Sequence, residues 1–132
     1  MTDQTALLAL ADEQYVLLTT TRRSGVPVPT PVWVARDGQA LVVTTGAESG
    51  KVKRVRHTPR VTLQACDRVG TPLFGTPVVE AQATVHDDAE SRDHLDAALS
   101  EKYGVQYAAI RAMQKVRGRR ANDSVVVRLT AV

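Results

Sequence analysis

Residues 44–60 combine hydroxyl, glycine and cationic side chains in a spacing that suits the binding of a phosphate group. An apolar strand runs into two glycines, Gly46 and Gly50, and then into a short helix rich in cations. A helix N-terminus presents unpaired backbone N–H groups and a partial positive charge, and glycine lets an anion approach the backbone closely. Lys51 follows Gly50 directly and adds a full positive charge. We therefore predict an anion site at this junction.

The cationic helix is predicted to have one apolar face and one charged face. At about 100° per residue, Val52 and Val55 share a face that can dock onto the protein. The other positions are basic, with three opposite the valines and two beside them: Lys53, Arg54, His57, Lys51 and Arg56. A solvated basic surface helix is the alternative interpretation of this pattern.

The positive charge is concentrated in two short windows. The formal net charge of the 132-residue chain is +3, yet residues 51–60 and 111–120 each hold five Lys or Arg and no acid, which leaves seven cations against fourteen acids elsewhere. A nucleic-acid groove spreads its cations and adds aromatic stacking platforms, whereas this chain has one Trp, one Phe and three Tyr. Compact clusters favour a small, multiply charged ligand, and a nucleic-acid-binding barrel is the minor alternative.

Several other classes of site are disfavoured by the sequence. The lone Cys66 cannot form an internal disulfide, and His57, His86 and His94 lack metal-ligand spacing, so neither a zinc site nor a cysteine nucleophile is expected. No apolar run approaches the ~20 residues that cross a bilayer, and the N-terminus lacks the plan of a signal peptide. We expect a cytoplasmic protein with a single domain over residues 1–132.

Short runs rich in Val, Leu and Thr predict the strands that position the anion site. Six strands are expected, at residues 15–21, 28–35, 40–45, 61–66, 79–86 and 125–129. The second and third are expected to form a hairpin through the Asp37-Gly38 pair, which favours a tight reversal. Pro27, Pro29 and Pro31 lack an N–H, so the second strand should start at a sheet edge or a bulge.

Four helices are predicted beside these strands. A leading helix covers residues 5–11, and the cationic helix follows the third strand. Asp87 or Asp88 can cap the next helix, which ends at Tyr103-Gly104. Apolar residues at three-residue spacing indicate the last helix: Tyr107, Ile110, Met113 and Val116. Together these elements predict a mainly β fold with helices, a small antiparallel barrel instead of a βαβ nucleotide-binding sheet.

Five short motifs also occur in a characteristic order. They are LLTTTR at 17–22, GVP at 25–27, TPVWV at 30–34, SGKVKR at 49–54 and PRVTL at 59–63. This order resembles the flavin-binding split-barrel superfamily, which contains the pyridoxamine 5'-phosphate oxidases and the deazaflavin-dependent reductases of actinobacteria. The likeness runs from about Ala6 to Val85 and resumes in the closing strand. Its details are most similar to the small branch of coenzyme F420-dependent oxidoreductases.

The resemblance implies a homodimer of six-stranded split barrels, with a cofactor at each end of the interface. It also implies that the cofactor phosphate is held at the Ser49–Gly50 helix start by Lys51, together with Lys53 or Arg54. The tricyclic ring would be lined from two strands by Pro31, Val32, Trp33, Thr44 and Thr45. Phe74 aligns with an aromatic that reaches over from the partner subunit in related proteins.

Some of these residues have a purely structural alternative. A single Trp in a small barrel is often a core residue, and threonines at a strand end can bond their own backbone. Several members of the superfamily have Gln or Asn where this chain has Trp33 and Pro31, so the expected contacts to the ring come from backbone groups. The basic cluster before the last strand is either solvated or a dock for the acidic tail of deazaflavin: Lys115, Arg117, Arg119 and Arg120.

The implied activity is hydride transfer from reduced deazaflavin, coenzyme F420, to an unsaturated organic substrate. FMN is the alternative cofactor, and a non-catalytic cofactor carrier is the alternative function. No nucleophile is required, because the protein supplies position and a dry pocket, and the proton can come from solvent or from Tyr15, Tyr103 or Tyr107. Pyridoxamine phosphate oxidation itself is not expected, since those enzymes have a longer C-terminal region than a chain that ends at Val132.

Overall fold

One antiparallel sheet with flanking helices runs through the residues that the computed structural model describes, 3–118 and 123–132. Its strands are β1 Tyr15–Thr21, β2 Pro27–Val32, β3 Ala35–Asp37, β4 Ala40–Gly46, β5 Arg60–Cys66, β6 Val79–His86 and β7 Ser124–Ala131. The α-helices are α1 Asp3–Ala9, α2 Gly50–His57, α3 Ala89–Tyr103 and α4 Val105–Val116, and a 3-10 turn, Leu10–Asp12, follows α1. No helix in the described ranges has the length and apolar character needed to cross a bilayer.

The strand order forces the sheet to curl. The order is β2-β1-β5-β6-β7-β4-β3, and every pairing is antiparallel. β2 and β3 therefore lie at opposite edges of the sheet, although only Trp33 and Val34 separate them along the chain. The two edges must come together at these residues, which bends the sheet into a half-barrel. We call the Trp33–Val34 link the seam.

The seam corrects two predictions. The single strand expected at residues 28–35 is in fact two, because β2 pairs with β1 whereas β3 pairs with β4. The sheet consequently has seven strands and not six, and the hairpin through Asp37-Gly38 joins β4 only to the three residues of β3. The prolines of β2 lie on an edge strand, as predicted, since β1 is the one strand it pairs with in the described sheet.

Side chains of α3 hold the seam in place. Val34 is fully buried, so its peptide groups need internal partners. The Val34 N–H donates to Tyr103 Oη at 3.1 Å, and Lys102 Nζ donates to the Val34 carbonyl. Tyr103 Oη in turn donates to the Gln14 carbonyl at 2.7 Å. The chain leaves its strand ladder at Val34 because the end of α3 supplies the missing hydrogen bonds.

The sheet buries apolar side chains on both of its faces. The inner face packs residues such as Leu18, Val43 and Leu63 into the half-barrel, while the outer face packs Val42 and its neighbours under α3. Successive side chains of β4 therefore point alternately into the core on the inner face and the core on the outer face. This arrangement places the end of β4 and the start of α2 next to the α3–α4 pair.

Most helix and turn signals in the sequence are confirmed. α3 starts after Asp88, whose Oδ2 accepts from the Ser91 N–H at 3.0 Å, and it ends at Gly104, whose φ of 53° suits glycine. The Asp37-Gly38 turn is present, with Gly38 at a φ of 63°. The leading helix starts earlier than predicted, at Asp3, and tightens into the 3-10 turn where residues 10–11 were expected to remain α-helical.

Candidate functional site

A cavity of about 650 Å³ opens between the seam, the end of β4, the start of α2 and the α3–α4 pair. Six of the residues predicted from the sequence line it together: Pro31, Val32, Trp33, Thr44, Thr45 and Lys51. They come from three parts of the chain, namely β2 with the seam that follows it, β4 and α2, so the fold brings these parts together. The volume falls within the range of small-molecule sites.

Trp33 acts both as a core residue and as a wall of the cavity. Its ring stacks on that of Tyr103, with centroids 4.2 Å apart and planes 5° from parallel. Burial raises the pKa of Tyr103 to about 12, so its hydroxyl stays protonated and keeps donating to the seam. Tyr103 fixes the Trp33 ring from behind, and the role of Trp33 in lining a cofactor ring stays a prediction.

The start of α2 is capped and carries an unpaired cation. Ser49 Oγ accepts from the Val52 N–H at 3.4 Å and contacts Thr45 Oγ1 at 3.1 Å, so Ser49 links β4 to the helix. Lys51 is half-buried, and burial followed by the nearby charge of Arg54 lowers its pKa. Among residues 3–118 and 123–132, the Lys51 ammonium has no hydrogen-bond or ion-pair partner. A desolvated cation at a helix N-terminus is a site for an anion.

Arg54 does not lie free on the outer face of α2, where helical periodicity predicted it. Its Nε donates to Oγ1 of the fully buried Thr20 at 2.6 Å. A Cβ on Gly50 would lie 2.6 Å from Arg54 Nη1, which means that the guanidinium packs directly against the glycine. Arg54 thus folds back to the start of its own helix and adds its charge to that of Lys51. Val52 and Val55 are buried, as predicted.

The α3–α4 pair supplies a polar wall that was mostly missed at the level of sequence. Tyr107 Oη donates to Asp96 Oδ1, and Arg111 Nη1 donates to the same oxygen at 2.6 Å and to Tyr107 Oη at 3.1 Å. Burial raises the pKa of Tyr107 to about 12. The spacing of Tyr107 and Arg111, four residues apart, places them on one helix face, but only the tertiary fold brings Asp96 to them. No group of three His, Cys, Asp or Glu within the described ranges is placed to hold a metal ion.

The remaining predicted residues lie outside the cavity lining. Ser49 and Gly50 precede Lys51 in the chain and Arg54 reaches back to Gly50, whereas Lys53 is exposed on that helix. Phe74 is fully exposed in the loop between β5 and β6. Of the second basic cluster, Lys115 lines the cavity and Arg117 is exposed, while Arg119 and Arg120 lie outside the described residues.

The sequence matches one family along almost its whole length. Residues 2–132 match the family model of pyridoxamine 5'-phosphate oxidase. No curated protein matches the chain in sequence.

Solved structures share the fold at low sequence identity. A conserved hypothetical protein from Mycobacterium tuberculosis superposes with a TM-score of 0.71 at 21% identity, over 97% of this chain and 78% of the other. A protein described as an F420 reductase gives a TM-score of 0.63 at 19% identity, over 94% and 91% of the two chains. A FAD-binding protein from Mesorhizobium loti gives 0.60 at 16% identity, over 92% and 82%. These similarities establish the shared fold.

Proposed function

Because the chain belongs to the pyridoxamine 5'-phosphate oxidase family, we propose that its cavity binds a phosphate-bearing, flavin-type cofactor and that the protein is an oxidoreductase. The first candidate is deazaflavin, coenzyme F420, acting on an unsaturated organic substrate, and the alternative is FMN. One observation carries the proposal: the unpaired Lys51 cation lies in the same cavity as the Trp33 ring. Such a cofactor requires a cation for its phosphate and an apolar surface for its ring system.

The start of α2 fits the phosphate. Lys51, the capped helix end and the guanidinium of Arg54 place several positive charges close together, an arrangement that costs electrostatic energy until an anion neutralises it. Gly50 leaves room for the Arg54 guanidinium beside the first turn of α2. Lys53, which is exposed on the same helix, adds to the positive field without lining the cavity.

The seam side of the cavity fits the ring system. Pro31, Val32 and Trp33 present apolar surface, and Tyr103 holds the Trp33 plane from behind. Thr44 and Thr45 also line the cavity, from β4, although Thr45 Oγ1 is already engaged with Ser49. Polar contacts to a ring would therefore come from Thr44 and from backbone groups.

The chemistry requires little from the side chains beyond position. When bound, the cofactor supplies the hydride-transfer chemistry. The chain orients the reactants and excludes water through Trp33 and its apolar neighbours. Of the three tyrosines considered as proton sources, Tyr107 lines the cavity, whereas Tyr103 Oη is committed to the seam and Tyr15 lies on β1 outside the lining. Tyr107 Oη, which holds its proton against Asp96, is the proposed donor.

We propose F420 ahead of FMN on the basis of sequence motifs and one structural relative. The motifs at residues 30–34 and 49–54 resemble the F420-dependent branch, and the F420 reductase shares the fold over almost the whole chain. The FAD-binding relative supports a flavin in the same fold, which keeps FMN as the alternative.

We also propose that the protein works as a homodimer in which the second copy completes the cavity. Apolar side chains stand exposed around the site and in the β5–β6 loop, including Ile110, Met113 and Phe74. Exposed apolar groups of this number are typical of surfaces that another chain covers.

Paired ligands test the proposal. FMN and riboflavin differ by the phosphate alone, and we expect either ligand, once bound, to quench the fluorescence of Trp33, the one Trp of the chain. F420 is titrated in parallel. We expect Lys51→Met to weaken FMN or F420 binding by about 10- to 100-fold and to leave riboflavin binding unchanged. Lys53→Met, an exposed cation on the same helix, is the matched control and should have a small effect.

The outcomes separate the candidate functions. If neither F420 nor FMN binds, the proposed function is wrong. If a reduced cofactor binds and never transfers hydride to an enone or quinone acceptor, the protein is a cofactor carrier. If single-stranded nucleic acid binds in a salt-dependent manner that survives Lys51→Met, the basic clusters serve nucleic acid instead.

A further inference from the structure

The cavity has a second cationic wall, separate from the Lys51 end. It is formed by α3 and α4, and its charged lining residues are Arg92, Asp93, Asp96, Arg111 and Lys115. Arg92 is already engaged, since its Nε and Nη2 donate to the Ser124 carbonyl at 3.3 and 3.2 Å. Arg111 and Lys115 are the cations that remain to face a ligand on this wall.

Arg111 is held rigidly and still has donors to spare. A guanidinium has five N–H donors, and the two on Nη1 are used by Asp96 and Tyr107. Within the described part of the chain, Nε and Nη2 have no partner, and 41% of the side chain is exposed. The Arg111 Cζ atom also lies 5.8 Å from the Tyr107 ring centroid, which fixes the plane of the guanidinium. A rigid guanidinium with one free edge suits the two oxygens of a carboxylate.

Lys115 adds charge that no acid on its own helix offsets. It follows Arg111 by four residues, so the two cations share a face of α4. Asp96 offsets the charge of Arg111, whereas Lys115 has no ion-pair partner among residues 3–118 and 123–132. Asp93 and Asp96 make the wall mixed in charge, but Lys115 and the free edge of Arg111 still offer N–H donors to an anion in addition to the one expected at Lys51.

The surfaces between the two cationic regions are apolar. Leu95 and Ile110 line the cavity from α3 and α4, and Trp33 lines it from the seam. A ligand group bound here needs an apolar, planar body and an anionic end.

We propose that the electron acceptor is an unsaturated carboxylate, whose carboxyl group is bound by Arg111 and Lys115 while its apolar body packs toward Trp33. Asp96, as a positioning residue, and Tyr107, the proposed proton donor, both accept from Arg111 Nη1 and hold the other edge of the guanidinium toward the cavity. The inference rests on the proposed function, because it assigns the substrate side of the same cavity. It limits the substrate class to acids or their close anionic analogues.

Cinnamate and cinnamamide are the probes for this wall, because they share an apolar unsaturated body and differ in the carboxylate. Dissociation constants are measured by calorimetry on the full chain, without cofactor and then with FMN. We expect the wild-type protein to prefer cinnamate by about tenfold or more. Arg111→Met and Lys115→Met should each reduce this preference and leave cinnamamide binding unchanged.

Control variants keep the test decisive. Arg56→Met removes an exposed cation outside the cavity lining and should preserve the preference. Lys115 is exposed, and its side chain has no hydrogen-bond or ion-pair partner among residues 3–118 and 123–132, so its variant reports on the wall even if Arg111→Met fails to fold. Equal binding of the two probes by the wild-type protein would overturn the proposal. So would a preference that Lys51→Met abolishes and Arg111→Met retains.

The same experiment distinguishes a substrate carboxylate from one carried by the cofactor. If Arg111→Met weakens F420 but not FMN, and no cinnamate preference exists, the wall binds the acidic tail of the cofactor and the proposal is wrong. A cinnamate preference in a protein that binds neither cofactor would retain the carboxylate site while rejecting the proposed function. Cofactor binding with no cinnamate preference would retain the proposed function while rejecting the carboxylate site.

Discussion

Arg54 is held at the start of its own helix by the hydroxyl of Thr20 and by the space that Gly50 leaves open. Thr20 accepts from Arg54 Nε at 2.6 Å, and Gly50 leaves room for Nη1. The glycine predicted for backbone access thus also accommodates the arginine. Thr20 gave no sign of this in the sequence, because it occupies an inward position on β1 that pattern alone assigns to the core.

A methyl group at Gly50 should separate cofactor affinity from stability. In Gly50→Ala, the new Cβ displaces the guanidinium of Arg54, so we expect weaker FMN binding, by about tenfold, with a change in unfolding free energy below ~1 kcal/mol. Riboflavin binding should not change. Gly46→Ala is the control, because the nearest atom to its Cβ would be 4.0 Å away. Equal losses in the two variants would contradict this account of Gly50.

The charge of Lys51 should make phosphate binding depend on pH. Burial lowers the pKa of Lys51 from its usual 10.5, and a bound phosphate raises it again, so binding takes up a proton once the free amine has lost its own. FMN affinity should be constant below the lowered pKa and fall by about tenfold per pH unit above it. Calorimetry between pH 7 and 11 measures this, and Lys51→Met should give a flat profile. A wild-type profile as flat as that of the variant would show that Lys51 does not touch the phosphate.

At the level of residues, the sequence predicted the Lys51 end of the cavity and the seam side, but not the α3–α4 wall. Gly50 and Lys51 are adjacent in the chain, so their joint chemistry is visible in a short motif. Asp96 and Arg111 are 15 positions apart on different helices, and each alone is compatible with a solvated surface. Their pairing depends on how α3 and α4 pack.

Among the elements, α3 determines the geometry of the seam. The three hydrogen bonds at Tyr103 Oη join α3 to Val34 and to Gln14. Strand propensity predicted one continuous strand here, because Val32, Val34 and Ala35 all favour or tolerate extended backbone. The break arises from tertiary hydrogen bonds, which local propensity does not contain. The caps at Asp88 and Gly104, by contrast, are local and were predicted.

Removal of the Tyr103 hydroxyl should loosen the seam. Tyr103→Phe leaves the buried Val34 N–H without its acceptor, so we expect a loss of about 1–3 kcal/mol in unfolding free energy. Chemical denaturation measures it, and Tyr15→Phe on β1 is the control. A loss no larger than that of the control would argue against this role for Tyr103.

The raised pKa of Tyr103 adds a pH signature to this variant. Its folded pKa of about 12 exceeds the usual value of 10.0, so the stability it contributes is fully present below pH 10 and is lost as the pH rises from 10 toward 12. The alkaline decline in stability should therefore be smaller in Tyr103→Phe than in the wild-type protein. Thermal melting across that range measures the difference.

For the molecule as a whole, the β5–β6 loop presents apolar side chains on an ordered support. Asp67 Oδ1 accepts from the N–H groups of Val69 and Thr71 at 3.0 and 2.9 Å, and Gln64 Nε2 donates to the Thr76 carbonyl at 3.1 Å. These bonds hold the loop while Phe74 stands fully exposed. A fixed loop that exposes a large ring is suited to contact with another chain.

A charge at the tip of this loop should dissociate the proposed dimer. Phe74→Asp is expected to raise the dimer dissociation constant by at least about tenfold, because the ring no longer leaves water on association. Sedimentation measures the mass, and Val26→Asp, in the β1–β2 turn, is the control. A monomeric wild-type protein, or a Phe74→Asp protein that remains a dimer, would contradict the proposal.

The seam also determines where the chain can be cleaved without the loss of a strand pairing. β2 and β3 share no ladder in the described sheet, so scission of the single peptide bond between Trp33 and Val34 would leave all strand pairings in place. The pieces 1–33 and 34–132 would then recombine chiefly through the β1–β5 ladder. Each piece carries part of the cavity lining, Trp33 in one and Lys51 in the other, so a molecule that fills the cavity should drive the two halves to reassemble.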